Sequence, residues 1–325
     1  MKLYAQIQRW PVAGAFTISR GAKTHVEVVV AEIVDRDHVG RGEGTAIYYH
    51  GETAESMLAD VLAQADAIAG GLTRGELQTR LPRGAARNAL DCAFWDLEAK
   101  KRDMPVWKLA GLAAPTPLVT AFTISLADPV RMEADARAAA HLPLLKLKLA
   151  GDGDEARVAA VRRGAPHARL IVDANEAWTG RDVAAEAATL SRHGVELIEQ
   201  PVRAGQDDLL DRVESPIPFA ADESCQDRAD LSRCAGRYRA INIKLDKAGG
   251  LTEALALAAE AREMGLDLMV GCMLATSLGI APAFMIGGQA RWVDLDGALL
   301  LAEDRPAAMR AEGGLLEPPS PELWG

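Results

Sequence analysis

From about residue 116 onward, short apolar runs recur at a regular interval. They are LVTAFTIS (118–125), LLKLKL (144–149), RLIVDAN (169–175), ELIEQP (196–201), PFAADES (218–224), AINIKLD (240–246), DLMVGCM (267–273) and RWVDLDG (291–297). Their starts lie 22 to 27 residues apart, and the gaps hold Ala-rich stretches such as ARVAAVRRGA and LTEALALAAEAREMG that read as helices. Strand, helix, strand at this interval is the βα unit, and eight such strands predict a closed parallel α/β barrel. A doubly wound open sheet is the alternative. It would carry a Gly-rich phosphate turn after an early strand, and the chain has none.

The first third has a different pattern. THVEVVVAEIV (24–34) predicts a strand, Arg36, Asp37, His38 and Gly40 a turn, and GRGEGTAIYY a return to extended chain. Helical stretches follow, first Thr53 to Ala69 and then Gly84 to Lys100, where Ala86, Leu90, Ala93, Phe94 and Leu97 share helical spacing. Strands followed by segregated helices indicate an α+β domain. The Pro-rich tail EPPSPELWG is expected to pack back on it.

Composition narrows the function classes. At 325 residues the chain suits one large domain plus a smaller one. Its net charge of −10, from 36 basic and 46 acidic residues, repels phosphate backbones, so no nucleic-acid partner is expected. No stretch approaches the roughly 20 apolar residues that span a bilayer, and the N-terminus lacks the apolar core of a signal peptide. No membrane partner and a cytoplasmic location are therefore expected. Cys92, Cys225, Cys234 and Cys272 are scattered without metal-type pairing and read as reduced thiols.

Charged residues interrupt strands that ought to be apolar. In LLKLKL, Lys146 and Lys148 are two apart and share a face, while Leu145, Leu147 and Leu149 share the other. A solvated edge strand would explain the lysines, but the apolar flanks argue that they point into the barrel. Asp173, Glu199 and Asp222 (followed by Glu223) close the third, fourth and fifth strands. Helix N-capping explains any one of these acids, and three in register much less well. Converging carboxylates in a dry site repel unless a cation neutralises them, and an all-oxygen set without His or Cys selects Mg²⁺ over zinc. On the sixth strand Asn242 and Lys244 share a face, which aims Lys244 inward from nearly the opposite side of the ring to Lys148. Asp294 and Asp296 share a face on the eighth, unless they are merely exposed turn acids.

Two lysines flanking a metal site suit proton transfer at carbon. A hydrogen α to a carboxylate is removed only if the resulting enolate is stabilised, which a divalent cation holding both carboxylate oxygens would do. One lysine, its pKa lowered by the cation and burial, would take the proton, and the other would return one from the opposite face, inverting the centre. Lys146 would help to depress the pKa of its neighbour.

The ordered set KLK, IVDAN, LIEQP, ADES and NIKLD resembles the enolase superfamily in its muconate lactonizing enzyme subgroup, over nearly the whole chain, with MPVWKLAG (104–111) in the capping domain. The resemblance implies a (β/α)7β TIM-like barrel over 116–299 and an N-terminal α+β capping domain over 1–115, completed by the tail 300–325. It implies Asp173, Glu199 and Asp222 as ligands of one Mg²⁺ per subunit, Lys148 and Lys244 as the acid/base pair, and Lys146 as their electrostatic neighbour. Asp294 and Asp296, with ARNALDCAFWDLEAK, VDANEAW, NIKLDKAGGLTEALALA and GCMLATS, resemble the subgroup's dipeptide epimerases, including those acting on L-Ala-D/L-Glu. The implied substrate is a dipeptide, its ammonium on the two aspartates and its carboxylate on the metal. A glutamate side chain would meet Arg20 or, second, Lys23 in the loop 19–23, and the implied setting is murein peptide metabolism. N-acylamino acid racemase and o-succinylbenzoate synthase are the alternatives within the subgroup. No histidine ends a strand, which excludes a His–Asp base. Loss of a lysine or an acid would have favoured a barrel that only binds a ligand, and all are present. Oligomeric state stays open, a homo-oligomer included.

Overall fold

The computed structural model describes residues 1–18 and 21–325. Three antiparallel strands open the chain in the order β1-β2-β3: β1 (Lys2–Ile18), β2 (Gly21–Asp35) and β3 (His38–Thr45). The hairpin of β2 and β3 is the expected one. The sequence reading did not anticipate β1. Its signal is the alternation of half-buried Leu3, Ala5 and Ile7 with exposed Lys2, Tyr4 and Gln6, which is strand-like but too mixed in hydropathy to stand out. The extended pattern also stops earlier than expected, at Thr45. There the Thr45 N–H donates to Asp246 Oδ1 (2.9 Å) and its hydroxyl to the Leu274 carbonyl (3.0 Å), and the chain turns into a short 3-10 segment, Tyr48–His50.

The helix Ala85–Arg102 lies directly on β3. Gly40, Gly42 and Gly44 make that approach possible. A Cβ on Gly42 would fall 2.1 Å from the Ala89 carbonyl oxygen, and one on Gly40 2.1 Å from that of Ala93. Smaller helices, Ala54–Leu62, Ala65–Ala69 and Arg74–Arg80, complete the layer, so the predicted helix 53–69 is broken after Leu62.

After β4 (Leu118–Val119) come eight parallel strands, one in each predicted run. They are β5 (Phe122–Ile124), β6 (Leu144–Lys148), β7 (Arg169–Asp173), β8 (Val195–Glu199), β9 (Phe219–Ala221), β10 (Ala240–Ile243), β11 (Asp267–Gly271) and β12 (Trp292–Asp294). They pair in chain order from β5 to β12. The ring is nearly closed by the Ala121 N–H donating to the Val293 carbonyl (2.8 Å) and the Leu295 N–H donating to Thr120 Oγ1 (2.9 Å). Alternating residues face outward to the helices and inward to a separate buried cluster. That cluster takes one residue from each of β6 to β12, among them Leu144, Ile171, Leu197, Met269 and Trp292, and Ala121 just before β5.

The tail pairs β13 (Ala311–Glu312) and β14 (Leu315–Leu316) with β4 and then returns to the first domain. Trp324 is 1% exposed and donates from Nε1 to the Cys92 carbonyl (3.0 Å), while the Gly325 N–H donates to Asp96 Oδ1 (2.8 Å). Trp324→Ala is expected to cost about 3–5 kcal/mol, the usual loss for a buried tryptophan. An unchanged urea unfolding midpoint would show that the tail is not part of the core.

The first domain is fastened over the mouth of the barrel. Asn88 Nδ2 donates to Asp246 Oδ1 (2.8 Å), and Arg87 donates to the carbonyls of Gly249 (3.0 Å) and Ala248 (2.6 Å). The loops after β10 and β11 are thereby held against β3 and its helix.

Candidate active site

The site is the next inward layer of the barrel. Two residues beyond the apolar cluster, each strand turns the same face inward. Seven of the eight place a polar side chain there: Thr123, Lys146, Asp173, Glu199, Asp222, Asn242 and Asp294. The eighth, β11, places Gly271. One layer further on the same face follow Lys148, Asn175, Lys244 and Asp296.

Asp173, Glu199 and Asp222 come together as the sequence predicts. One oxygen from each lies within 4.8 Å of the others, and all three side chains are buried. Lys148 and Lys244 approach this triad from its two ends, because their strands flank those of the acids in the ring. Lys148 Nζ lies 2.6 Å from Asp173 Oδ2 and Lys244 Nζ 2.6 Å from Asp222 Oδ2. Lys146 lies between, with Nζ 2.5 Å from Glu199 Oε2 and 2.7 Å from Asp294 Oδ2. Asp296 accepts the Thr123 N–H (2.7 Å).

Electrostatics follow from burial set against neighbours. Burial pushes Glu199 up, and the charges of Asp173 and Asp222 add to it, giving a pKa of about 7. Burial acts the same way on Asp222, but Lys244 and Lys247 outweigh it and hold its carboxyl well below the usual range. Burial would lower Lys146 and Lys244; instead the adjacent carboxylates dominate and hold both ammoniums well above the ordinary lysine value. Asp222 and Glu199, which raise Lys244, belong to the triad that a cation would engage, and a divalent charge there acts in the opposite sense. The donor set suits such an ion: three carboxylates, no sulfur or imidazole among them, and lysines whose positive charge otherwise offsets the like-charge repulsion.

A cavity of about 230 Å³ opens onto these residues. Lys23, Tyr48 and Tyr49 of the first domain form part of its wall, with Met273 and Leu274 from the barrel side. Lys23 is exposed, with partial desolvation lowering its pKa, and its Nζ lies 5.1 Å from the centroid of the Tyr48 ring. Arg20, the other predicted cation, lies outside the described residues. Among the described residues, none lining the cavity is a histidine.

The groups that brace the acids carry little signal in the sequence. Lys247 is 1% exposed and donates to Asp222 Oδ1 and the Asp222 carbonyl (2.6 Å each) and to the carbonyls of Cys225 and Asn242 (3.0 Å each). Gln200 accepts the Asp222 and Ser224 N–H groups (2.8 and 3.1 Å), tying the end of β8 to the end of β9. Asn242 Nδ2 donates to Glu199 Oε1 (2.6 Å). Only Asn242 carried a signal, its shared face with Lys244.

The chain matches two family descriptions in tandem. One is the mandelate racemase/muconate lactonizing enzyme N-terminal domain over residues 2–111, and the other the enolase C-terminal domain-like family over 130–320. It is 43% identical over 311 residues to the L-Ala-D/L-Glu epimerase of Escherichia coli K12, covering 95% of this chain and 97% of that one. It is 41% identical over 300 residues to an N-acetyl-D-glutamate racemase of a Pseudoalteromonas species, covering 92% and 95%. A crystal structure of an enolase family member from Agrobacterium tumefaciens with homology to dipeptide epimerases, holding sodium and L-Ala-L-Glu, superposes with a TM-score of 0.97 at 50% identity over 99% of both chains. A dipeptide epimerase from Enterococcus faecalis, complexed with Mg and L-Leu-L-Tyr, superposes with a TM-score of 0.91 at 29% identity over 98% of this chain and 96% of that one. A polar ring on a parallel barrel, capped by an α+β domain and matched from end to end by these proteins, has one assignment: the chain belongs to the enolase superfamily and is an isomerase of the epimerase and racemase kind.

Proposed function

We propose that the chain is a Mg²⁺-dependent dipeptide epimerase that inverts the α-carbon of the C-terminal residue by 1,1-proton transfer, interconverting L-Ala-D-Glu and L-Ala-L-Glu. The observation that carries this reading is the approach of Lys148 and Lys244 to the acid triad from its two ends. A substrate carbon held between them presents one face to each ammonium. Either lysine, once neutral, can take the α-proton, while the other, charged, delivers one to the opposite face.

On this reading Asp173, Glu199 and Asp222 hold one Mg²⁺ per subunit, which would supply charge stabilisation for the enolate. Lys146 neutralises Glu199 and Asp294. Asp294 and Asp296 receive the dipeptide's ammonium. A side-chain carboxylate meets Arg20 or, second, Lys23, since a cation gains from an anionic partner. Residues 1–115 with the tail 300–325 act as the cap and 116–299 as the catalytic barrel. Murein peptide metabolism in the cytoplasm is the setting that goes with this substrate. No helix among the described residues is long and apolar enough to cross a membrane.

N-acylamino acid racemisation is the second reading, favoured by the likeness to the N-acetyl-D-glutamate racemase. One experiment separates them. Exchange of the α-proton in D₂O is followed by NMR for L-Ala-D-Glu, L-Ala-L-Glu, N-acetyl-D-glutamate and a cyclohexadiene carboxylate that an o-succinylbenzoate synthase would accept. The dipeptides should exchange fastest. Excess EDTA should abolish exchange and Mg²⁺ restore it, and Asp173→Asn, Glu199→Gln and Asp222→Asn should each weaken Mg²⁺ binding in calorimetry. Full turnover in EDTA would remove the metal from the mechanism, and faster exchange of N-acetyl-D-glutamate would replace the substrate.

A further inference from the structure

The polar ring has one position without a side chain, Gly271 at the end of β11. Its backbone does not call for glycine, because Gly271 is not among the residues with positive φ. Space does. A Cβ built there would lie 2.7 Å from Asn242 Oδ1, 2.9 Å from Asn242 Nδ2 and 3.1 Å from Lys244 Cε. The register explains the encounter: Asn242 pairs with Met269 and Ile243 with Val270, so the next pair along is Lys244 beside Gly271. Met269 faces the apolar inner cluster, and alternation turns position 271 the same way.

We propose that Gly271 is a positioning residue for Lys244, its missing side chain being the corridor through which the lysine's alkyl chain reaches the site. Neither neighbour can yield freely. Asn242 is 1% exposed and its amide is committed to Glu199 Oε1 at 2.6 Å, while the Lys244 ammonium is held by Asp222 at 2.6 Å. A methyl group in a close-packed interior must shift the Asn242 amide, which lies under 3.0 Å away, and press the Lys244 chain, at 3.1 Å, aside by a few tenths of an ångström. Of the two, only the lysine addresses a single face of the substrate. Lys148 enters from β6, across the triad, and is untouched. The loss through Lys244 is therefore one-sided, whereas the shift of Asn242, bonded to Glu199, and general loosening of the barrel would slow both directions alike.

This inference rests on the reading of Lys148 and Lys244 as the two acid/base groups, and the test keeps the two apart. At saturating Mg²⁺ in D₂O, α-proton exchange of L-Ala-D-Glu and L-Ala-L-Glu is measured separately for the parent, Lys244→Ala and Gly271→Ala. Lys244→Ala should abolish exchange of one epimer only; if it spares both, the two-base reading fails by itself. Gly271→Ala should slow that same epimer by about tenfold or more beyond any slowing of the other, less than the ~10²–10⁴-fold of a lost acid/base group. Equal slowing of both epimers, or of neither, overturns the role of Gly271 while leaving the two-base reading intact. Should Gly271→Ala not fold, Asn242→Ala/Gly271→Ala removes the nearest contact and keeps the one with Lys244. Measured against Asn242→Ala, it should show the same one-sided loss, and a symmetric loss would overturn the proposal.

Discussion

Lys148→Ala and Lys244→Ala are each expected to stop epimerisation, with turnover falling by about 10²–10⁴-fold, because either direction of the reaction needs one lysine as base and the other as acid. The two variants should not be equivalent. In Lys148→Ala the surviving ammonium addresses only the face reached from β10, and in Lys244→Ala only the face reached from β6. Each variant should therefore still wash deuterium into a single epimer, and the two should choose opposite epimers. Because both lysines are ion-paired to acids of the triad, each truncation also takes one positive charge away from a buried carboxylate. Mg²⁺ affinity should then rise or hold in both variants while epimerisation is lost, and calorimetry beside the exchange assay would show it. If either variant epimerises at the parent rate, the two-base mechanism is wrong.

The second large effect is expected at Asp294 and Asp296. Asp294 Oδ2 is taken by Lys146, but its Oδ1 is buried with no hydrogen-bond partner among the described residues. An ammonium is the kind of group that would complete it. Asp294→Asn/Asp296→Asn keeps the size and removes the charge. A charge-assisted hydrogen bond contributes roughly 1.5–3 kcal/mol, and about 1.4 kcal/mol is tenfold in rate, so two contacts imply at least about a hundredfold loss of kcat/KM on both dipeptides. N-acetylating the dipeptide should cost the parent a similar factor and the double variant much less. Burial, helped by the Asp294 charge, pushes Asp296 up to about 7. The ammonium needs the ionised form, so KM for the free dipeptide should rise as pH falls through 7, and this rise should vanish in the double variant. Equal rates of the parent on free and N-acetylated dipeptide would turn the assignment toward an N-acylamino acid racemase.

Much of this site can be read from sequence because a barrel strand has a period of two and a fixed direction. An acid or lysine at the C-terminal end of an apolar run has few places to go. That logic located the triad, Lys146, Lys148, Lys244 and the aspartate pair. It does not reach side chains whose role depends on a neighbour far away in the chain. Lys247 reads as one more charge on a loop, and only the fold places four oxygens around it. β1 was passed over for a related reason, since its half-buried face becomes apolar surface only when the helices of the cap lie across it.

The sequence by itself determined the number and order of the barrel strands, the inward face of those carrying the lysines and the aspartate pair, and the identity of the charges carried to the barrel mouth, because these follow from alternation within a few residues. Tertiary structure decided the pairings: Lys148 with Asp173, Lys244 with Asp222, and Lys146 between Glu199 and Asp294. It also decided that the cap is fastened through Asn88 and Arg87 to the loop after β10, and that Gly271 is the gap beside Lys244. Those are matters of distance between strands. Barrel closure and close packing set such distances, and no local pattern in the chain encodes them.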